Sequence, residues 1–528
     1  TDPQCRAALM RPLTALTLMI DFHLWPDHPV FVHVHSLIWY ALVIWAAAVL
    51  YRRLIGLDHA AWIVGLAAIL FAIDDAHGIP AGWLANRNAL IACFFGIGAL
   101  IFHDCWRSDG WRPGLVLAPL ALFAGLLGKE EAVSTGGYLL AYAVFLDRGA
   151  LKSRLVSLLP YLAVGAVWLI LHRGLGHGVS MSEVYADPAA DPGRFVLRVM
   201  QYAPILLLGQ WAPLPSDLSV ALSAGGFRMV WIIALLVICA LAALFAPLLT
   251  RNRVARFWCL GMVLATFPIS AIFPGDRLLM FVGLGAMGLL ALWLGESVVG
   301  SSVARTGSMG RRATRVAGVA LIGVHLVLSP LLLPVMAGAM GVIGGIVTRP
   351  YETLPDDPEF ATQTAIIVNP IACIAESLMV RHRIEAGLPV PRRSLSLTPS
   401  CCAATLTRTD ETTLVVRPQG GYLPPHRWWP PEAGPPPLLS NRYHLQHLDH
   451  LVRSRDNPMR LGETVELTTA VIEITALTDD GRPAEATFRF RKPLEDPSLR
   501  WFQMNRNRYS TFKVPAVGQT VTVPSPLD

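Results

Sequence analysis

The chain has 528 residues, of which 53% are hydrophobic and 15% are charged, and its mean hydropathy is +0.48. Soluble domains carry about 25% charged residues, so this composition excludes a disordered chain, a collagen-like chain and an ordinary soluble enzyme. The net charge of +6 belongs to the apolar part, because residues 351–528 hold 19 Lys and Arg and 20 Asp and Glu. This distribution is typical of membrane topology signals and gives no indication of nucleic-acid binding.

Residues 1–28 are predicted to form an outer loop with an interfacial helix. This assignment places Thr1 on the non-cytoplasmic side, so we expect an upstream transmembrane helix that precedes it.

Repeated apolar runs predict a helical polytopic membrane bundle over residues 29–336. Lys and Arg are dense in one alternating set of loops, with 14 in about 51 positions against nine in about 108 in the other set. The dense set, which includes the loop around Ser308, is therefore expected to be cytoplasmic. The bundle is predicted to contain about ten spans, at residues 29–50, 60–73, 89–103, 113–127, 132–146, 155–171, 229–249, 257–273, 278–297 and 316–336.

The apolar segment 195–215 is predicted not to cross the membrane, because the basic loops on both sides of it are already connected by two spans. We expect a re-entrant or interfacial element that is broken by Pro204, Pro213 and Pro215. Residues 337–350, which follow the last span, are predicted to be a linker.

Residues 351–528 change character and predict a small α+β domain on the non-cytoplasmic side. The run 371–386 is predicted to be a helix that stops at Gly387, and residues 418–440 are predicted to be a Pro- and Gly-rich loop. Apolar or alternating runs predict strands at residues 365–368, 403–407, 412–417, 464–475 and 486–491, with a turn at Asp480 and Gly481 before the last of them.

The loop between predicted spans two and three combines Asp74, Asp75, His77, Trp83 and Arg87. A carboxylate at a membrane surface has the chemistry of a general base or a metal ligand, and an arginine holds a phosphate by bidentate contacts. Helix capping by Asp and interfacial anchoring by Trp form the structural alternative.

Two later turns on the same side also carry charge. Lys129, Glu130 and Glu131 lie in a short turn between two apolar helices, where they either contact a lipid headgroup or form a local Lys–Glu pair. Asp276 and Arg277 have the same two interpretations. Arg277 either binds an anionic headgroup or pairs with its neighbour Asp276.

Three motifs occur in the order known from a family of membrane enzymes. The run LFAIDDAHGIPAGWLANR resembles a family segment in which His77, Trp83 and Arg87 match, whereas Asp74 and Asp75 replace a His-Pro pair and Ile79 replaces a Glu. The Gly-Lys-Glu turn at 128–130 and the Gly-Asp-Arg-Leu turn at 275–278 resemble two further family motifs. The chain thus resembles GT-C superfamily glycosyltransferases, specifically bacterial relatives of the protein O-mannosyltransferase family, over roughly residues 7–300.

The resemblance implies transfer of a hexosyl or mannosyl group from a polyprenyl-phosphate-linked sugar to a glycan, lipid or protein acceptor. It implies an enzyme in a bacterial cytoplasmic membrane, with its site and its C-terminal domain outside the cytoplasm. Asp74 and Asp75 are then the candidate catalytic acids, and a divalent metal is left open. The residues expected to bind the donor are His77, Trp83, Arg87, Lys129, Glu130, Asp276 and Arg277.

Two other classes of protein remain as alternatives. A transporter or flippase is disfavoured, because it would place ionisable residues near the middle of the membrane, whereas these lie in loops. A non-catalytic cell-envelope assembly protein is favoured by the loss of the family Glu at Ile79.

Overall fold

The computed structural model describes residues 6–56, 61–299, 308–373, 376–451, 453–454 and 457–528. It confirms the predicted class, a helical membrane bundle followed by a small α+β domain. The helices of the bundle are α1 (Pro12–Leu24), α2 (Pro29–Leu54), α3 (Ala61–Ala72), α4 (Gly78–Gly82), α5 (Arg87–Asp109), α6 (Gly114–Gly128), α7 (Thr135–Phe145), α8 (Leu151–Val156), α9 (Leu159–Gly174), α10 (Pro192–Trp211), α11 (Ala224–Arg251), α12 (Arg253–Ile269), α13 (Met280–Val299), α14 (Ser308–Ile322) and α15 (Ser329–Thr348).

Among the described residues, five helical stretches are long and apolar enough to cross a membrane. A sixth would be the pair Ala61–Ala72 and Asp75–Gly82, which is bent by 47°. Several other predicted spans correspond to shorter or more charged helices, so the count of ten stays a prediction. The five stretches are Pro29–Leu54, Leu84–Asp109, Leu151–Gly174, Ala224–Arg251 and Arg312–Thr353.

Helix α13 is the centre of the bundle, and every residue from Leu279 to Leu294 is buried. The hydroxyl of Tyr51 on α2 donates to the carbonyl of Leu284 at 2.7 Å, and that of Tyr138 on α7 donates to the carbonyl of Phe281 at 2.5 Å. These two hydrogen bonds fix α13 between α2 and α7. They also hold the turn at residues 275–278, which directly precedes α13.

The segment 195–215 differs from its prediction, because α10 continues through Pro204 instead of breaking there. Proline cannot bond the carbonyl four residues earlier, which here belongs to Met200. The indole N–H of Trp231 donates to that carbonyl at 3.1 Å and satisfies it from a neighbouring helix. Pro213 and Pro215 lie after the helix end, and the re-entrant placement stays a prediction.

Most of the predicted linker 337–350 is helical, because α15 extends to Thr348. The segment from Ala337 to Thr348 contains no charged residue and no proline, so nothing in it stops a helix that lies in an apolar environment. A π-helical stretch, Gly323–Leu328, joins α14 to α15.

In the described residues, the C-terminal domain contains two sheets and two α-helices. The helices are α16 (Glu376–Glu385) and α17 (Asn441–Asp449). The strands are β3 (Thr364–Ile367), β4 (Arg393–Ser396), β5 (Ala404–Arg408), β6 (Thr413–Pro418), β7 (Thr464–Glu466), β8 (Ala470–Leu477), β9 (Pro483–Phe490), β10 (Leu499–Asn505), β11 (Arg508–Thr511) and β12 (Thr520–Val523). One sheet has the order β11-β10-β3-β4 and the other β12-β5-β6-β9-β8-β7, whereas β1 (Arg6–Ala8) and β2 (Gly178–Ser180) pair beside the bundle.

Most predicted strands of this domain are confirmed within one to three residues. The run 464–475 divides into β7 and β8, and Gly481 has the positive φ of +79° that its predicted turn favours. The predicted helix 371–386 is shorter, with α16 beginning at Glu376, and residues 374–375 lie outside the described residues.

The C-terminal domain contacts the bundle at the end where α10 finishes and α13 begins. The amide of Ser440 donates to the carbonyl of Ala221 at 2.8 Å, and the amide of Ser223 donates to that of Leu438 at 2.9 Å. Phe273 packs edge-on against His447, with ring centroids 5.7 Å apart. The domain therefore covers the same end of the bundle that carries Asp276 and Arg277.

Candidate functional site

Three charged turns lie at one end of the bundle. They are residues 74–77 before α4, residues 129–134 before α7 and residues 275–278 before α13. The first and third are in contact, and the charge of Arg277 acts on the buried pair formed by Lys129 and Glu131 in the second. The structure therefore brings together three motifs that are far apart in sequence.

Asp74 is buried, and both of its carboxylate oxygens are bonded. Oδ1 accepts the amide of Ala76 at 3.1 Å and caps the turn, whereas Oδ2 accepts the side-chain amide of Gln210 on α10 at 2.7 Å. A β-carbon on Gly283 would lie 3.0 Å from Oδ2, so the close approach of α13 depends on a glycine there. The capping interpretation is therefore correct for Asp74, which also joins the turn to α10.

Asp75 and His77 occupy different environments although they share a turn. Asp75 is half-buried, and its Oδ1 accepts the hydroxyl of Ser329 on α15 at 2.5 Å. His77 is fully buried, with its ring edge-on to Phe71 at 4.5 Å and its Nδ1 3.4 Å from the hydroxyl of Tyr40. Of the two predicted catalytic acids, Asp75 is the one more open to a ligand.

Asp276 is buried in a polar cage built by the segment after α10. Its Oδ1 accepts the amide of Ser216 at 2.8 Å and the hydroxyl of the same residue at 2.6 Å. Its own amide donates to the carboxylate of Asp217 at 2.7 Å. Burial, reinforced by the charge of Asp217, raises the pKa of Asp276 well above its ordinary value.

The guanidinium of Arg277 contacts two neighbouring side chains, and these contacts leave its N–H donors available for a ligand. NH1 lies 3.6 Å from Oδ1 of Asp217, and the group sits 4.9 Å from the ring centroid of Phe273. No hydrogen bond links its side chain to another described residue, and the side chain is 19% exposed. Asp217 thus orients Arg277 without saturating its donors.

Lys129 pairs with Glu131, so the local Lys–Glu pair that was the structural alternative for this turn is present. Lys129 Nζ lies 2.5 Å from Oε2 of Glu131, and both side chains are buried. Burial lowers the pKa of Lys129 and raises that of Glu131, against the attraction of the pair. Glu130 is bound instead by Arg11, whose Nε and NH2 donate to its Oε2 at 3.1 and 2.9 Å.

Arg87 is fully buried, and its guanidinium faces protein acceptors. It forms an ion pair with Asp21 of α1, and its Nε donates to the hydroxyl of Ser36 at 2.9 Å. NH2 donates to the carbonyl of Val32 at 2.7 Å, and His35 completes the network by contacting Asp21 at 2.6 Å. The guanidinium of Arg87, which was predicted to contact a phosphate, is therefore occupied by protein acceptors and joins α1, α2 and α5.

Trp83 stands apart from the other predicted residues. It is 36% exposed, and no ring contact or side-chain hydrogen bond connects it to them in the described part of the chain. Its position suits an interfacial anchor.

Within the described residues, no three His, Cys, Asp or Glu side chains lie close enough together to hold a metal ion. The carboxylates of Asp74, Asp75 and Asp276 act on one another through charge, but each is held by different partners.

Sequence reasoning did not find several of the residues that build this end of the bundle. Asp217 follows a Pro-rich bend and Gln210 is the penultimate residue of α10, so neither belongs to a recognised motif. An acid two residues after a helix-breaking Pro-x-Pro is the signal that would have identified Asp217. The missed residues that bond the predicted ones are Arg11, Asp21, Ser36, Gln210, Ser216, Asp217 and Ser329.

Comparison with known proteins gives one distant similarity. No protein-family model matches the chain. The human protein named Protein O-mannosyl-transferase TMTC3 is 26% identical to it over 146 residues. The aligned part is 26% of this chain and 15% of the human protein, so the chain spans a small part of that relative's length.

Proposed function

We propose that the chain is a membrane glycosyltransferase that takes a sugar from a polyprenyl-phosphate donor, with its site at the end of the bundle that carries the three charged turns. The observation that carries this proposal is the convergence of Asp75, Lys129 and Arg277, one carboxylate and two cations from separate turns. The printed name of the human relative, an O-mannosyl-transferase, supports the same class of reaction.

Asp75 is assigned as the general base. It takes the proton of an acceptor hydroxyl, and the resulting oxygen attacks the anomeric carbon of the sugar. The bond between that carbon and the phosphate oxygen breaks, and its electron pair leaves with the polyprenyl phosphate. Half-burial and a single hydrogen bond from Ser329 leave Asp75 capacity to accept this proton, whereas the oxygens of Asp74 are both engaged.

Arg277 and Lys129 are assigned to the leaving phosphate. Charge grows on that phosphate as the bond breaks, and preorganised cations in a partly dry site stabilise it. Arg277 retains free donors and is oriented by Asp217, and its charge acts on Lys129, which pairs with Glu131. Asp276, bound by Ser216, fixes the turn that carries Arg277.

Arg87 receives a different role from the one expected, that of a positioning residue. It ties α1 and α2 to the start of α5, directly after the turn that carries Asp75. His77 and Trp83 shape the surroundings, His77 from the interior and Trp83 at the surface.

The position of the charges favours this reaction over transport. The charged residues that converge come from turns at helix ends, and the central helix α13 is apolar from Met280 to Leu294. A transporter pathway would need ionisable groups along such a helix. We assign the site to the non-cytoplasmic surface of the membrane because of the loop charges, and to the end of the bundle that the C-terminal domain covers.

The test is donor cleavage by the full chain in lipid nanodiscs. Polyprenyl phosphate-linked mannose and glucose are supplied with a mixture of acceptor peptides and oligosaccharides, and released polyprenyl phosphate is measured by mass spectrometry. We expect release by the wild type and about 10²–10³-fold less with Arg277→Gln. Arg173→Gln is the matched control, since Arg173 is half-exposed and pairs with Asp187 at 3.3 Å. No release by the wild type from either donor, or equal release by the two variants, would overturn the proposal.

A further inference from the structure

A shallow groove of about 570 Å³ lies in the C-terminal domain, outside the site described above. One wall is the turn between β8 and β9, with Thr478, Asp479, Asp480 and Arg482. The other wall is the loop after β6, with Gly420, Gly421, Pro425 and Trp428. The register of the β8–β9 pair shifts near this turn, at Ile474 to Leu477, as is common beside binding sites.

The two walls are tied together by the protein itself. Arg482 donates to the carbonyls of Gly420 and Tyr422 at 2.9 and 3.0 Å, and the amide of Tyr422 donates to the carbonyl of Pro483 at 2.7 Å. A β-carbon on Gly421 would lie 2.7 Å from that same carbonyl. The groove is therefore preformed, which reduces the entropy cost of binding.

Trp428 provides the aromatic surface of the groove. A β-carbon on Gly420, whose φ is +81°, would lie 2.4 Å from the indole, so one part of the ring packs directly on the backbone. The residue is only half-buried and also lines the groove. A fixed indole offers a negative ring face to polarised C–H groups.

Four charges around the groove form two ion pairs, and the carboxylate of Asp479 remains unpaired among the described residues. Arg482 pairs with Asp480 at 2.8 Å, and Arg417 pairs with Glu485. Asp479 is exposed and has no ion pair or hydrogen bond to another described residue. A neutral ligand with C–H faces and hydroxyl donors fits this combination of an indole and an unpaired carboxylate.

We infer that this groove binds a neutral oligosaccharide, with a sugar ring stacked on Trp428 and its hydroxyls donating to Asp479. A proline-rich peptide fits less well, because such segments bind grooves lined by several aromatic rings, whereas Trp428 is the one aromatic residue among the described residues that line this groove.

The groove also connects to the bundle. His426 and Arg427 follow Pro425 in the same wall, and Arg427 donates to the carbonyls of Leu222 and Ser219 at 2.8 and 3.1 Å. The segment 216–222 continues from Ser216 and Asp217, which hold Asp276 and its turn. A sugar chain bound in the groove therefore lies on the domain that covers the proposed site, where an acceptor or product glycan is expected. The role of the bound glycan as acceptor or product rests on the proposed function, whereas the binding itself does not.

The test is binding of free oligosaccharides to the full chain in detergent micelles, without any donor. Saturation-transfer NMR is measured with α-mannotriose, maltotriose, cellotriose and chitotriose. We expect transfer to the C–H protons of one sugar face for at least one of the four, and binding at least about tenfold weaker for Trp428→Ala. Asp479→Ala, at an exposed side chain, should also weaken binding. Trp111→Ala, which removes a Trp that is 40% exposed in a loop of the bundle, should leave it unchanged.

Absence of binding for all four sugars, or binding that neither Trp428→Ala nor Asp479→Ala weakens, would overturn the inference. Binding of a proline decapeptide that is lost in Trp428→Ala, with no sugar bound, would overturn it in favour of a peptide groove. If the wild type binds sugar but cleaves no donor, the inference about the groove stands and the proposed reaction is overturned. If it cleaves the donor but binds no sugar, the proposed reaction stands and the inference about the groove is overturned.

Discussion

At the scale of single residues, Arg87 shows how surroundings decide what a side chain does. From sequence it matches a family motif beside two acids, and a phosphate contact is the natural expectation. In the structure its guanidinium is fully buried among Asp21, Ser36 and Val32. Those partners lie 51 to 66 residues earlier in the chain, so no local pattern could have revealed them.

We expect Arg87→Lys to destabilise the fold rather than to remove only catalysis. A lysine retains the charge for Asp21 but cannot also donate to Ser36 and to the carbonyl of Val32. Leaving a buried group unpaired costs about 1–3 kcal/mol, which thermal unfolding in detergent would measure. Arg173→Lys serves as the control. An unchanged melting temperature together with lost transfer would instead return Arg87 to the phosphate.

Two buried carboxyl groups make the stability of the C-terminal domain depend on pH. Burial, opposed by hydrogen bonds from Ser400, raises the pKa of Asp449 to about 6, and burial raises that of Glu376 to about 7. Because the folded state binds these protons more tightly, their contribution is fully present below about pH 4 and is lost as pH rises through 6 to 7. Asp449→Asn should therefore gain stability relative to the wild type over this range.

Pulse proteolysis of residues 351–528 in the full chain would measure this difference at each pH. Glu432→Gln, at an exposed position, provides the comparison and should follow the wild type. A constant difference between Asp449→Asn and the wild type from pH 4 to 7.5 would contradict the assignment.

At the scale of elements, the turn that carries Asp75 is held by backbone contact between α4 and α15. A β-carbon on Gly78 would lie 2.6 Å from Cβ of Met336, and one on Gly82 would lie 2.2 Å from the carbonyl oxygen of Ala337. Small residues allow such close approach in membrane helices. The contact keeps Ser329 within reach of Asp75.

We expect Gly82→Ala to push α4 from α15, which lowers both the melting temperature and the rate of transfer. Overpacking of this kind costs about 1–3 kcal/mol. The matched control is Gly338→Ala, one residue beyond the contact, where a β-carbon meets nothing within 4 Å. If both variants unfold at the wild-type temperature, the contact does not hold the turn.

The element predictions failed where neighbours changed the meaning of local signals. Pro204 is accommodated because Trp231 bonds the freed carbonyl of Met200, a contact between two helices that sequence does not show. The strands β4, β10, β11 and β12 were not predicted. The segments of β4 and β11, RSLS and RYST, are short and largely polar. Their pairing with β3 and β10 supplies the stability that their composition lacks.

At the scale of the whole molecule, apolar runs and the change of character at residue 351 were enough to predict a membrane bundle with an α+β domain. The site was less predictable. Its motifs could be named, but the partners Gln210, Asp217 and Ser329 reach it through helix packing. Such contacts follow from the packing of whole helices and leave no spacing signal in sequence.

The sidedness of the molecule stays a prediction from the loop charges. Cysteine labelling in a cysteine-free background would test it, with Ser308→Cys in the basic loop and Ser510→Cys in the C-terminal domain. We expect an impermeant reagent applied to intact cells to label position 510 and not position 308. Labelling of both positions from the same side would contradict the model.

The central claim is that Asp75 performs the proton transfer of a glycosyl-transfer reaction. The most direct measurement is the rate of sugar transfer by Asp75→Asn in nanodiscs, with protein amount and folding verified. Loss of a general base predicts a rate about 10²–10⁴-fold below the wild type. Asp109→Asn, which removes an acid that pairs with Arg53 in another part of the bundle, should transfer sugar normally. Equal rates for Asp75→Asn and Asp109→Asn would contradict the account.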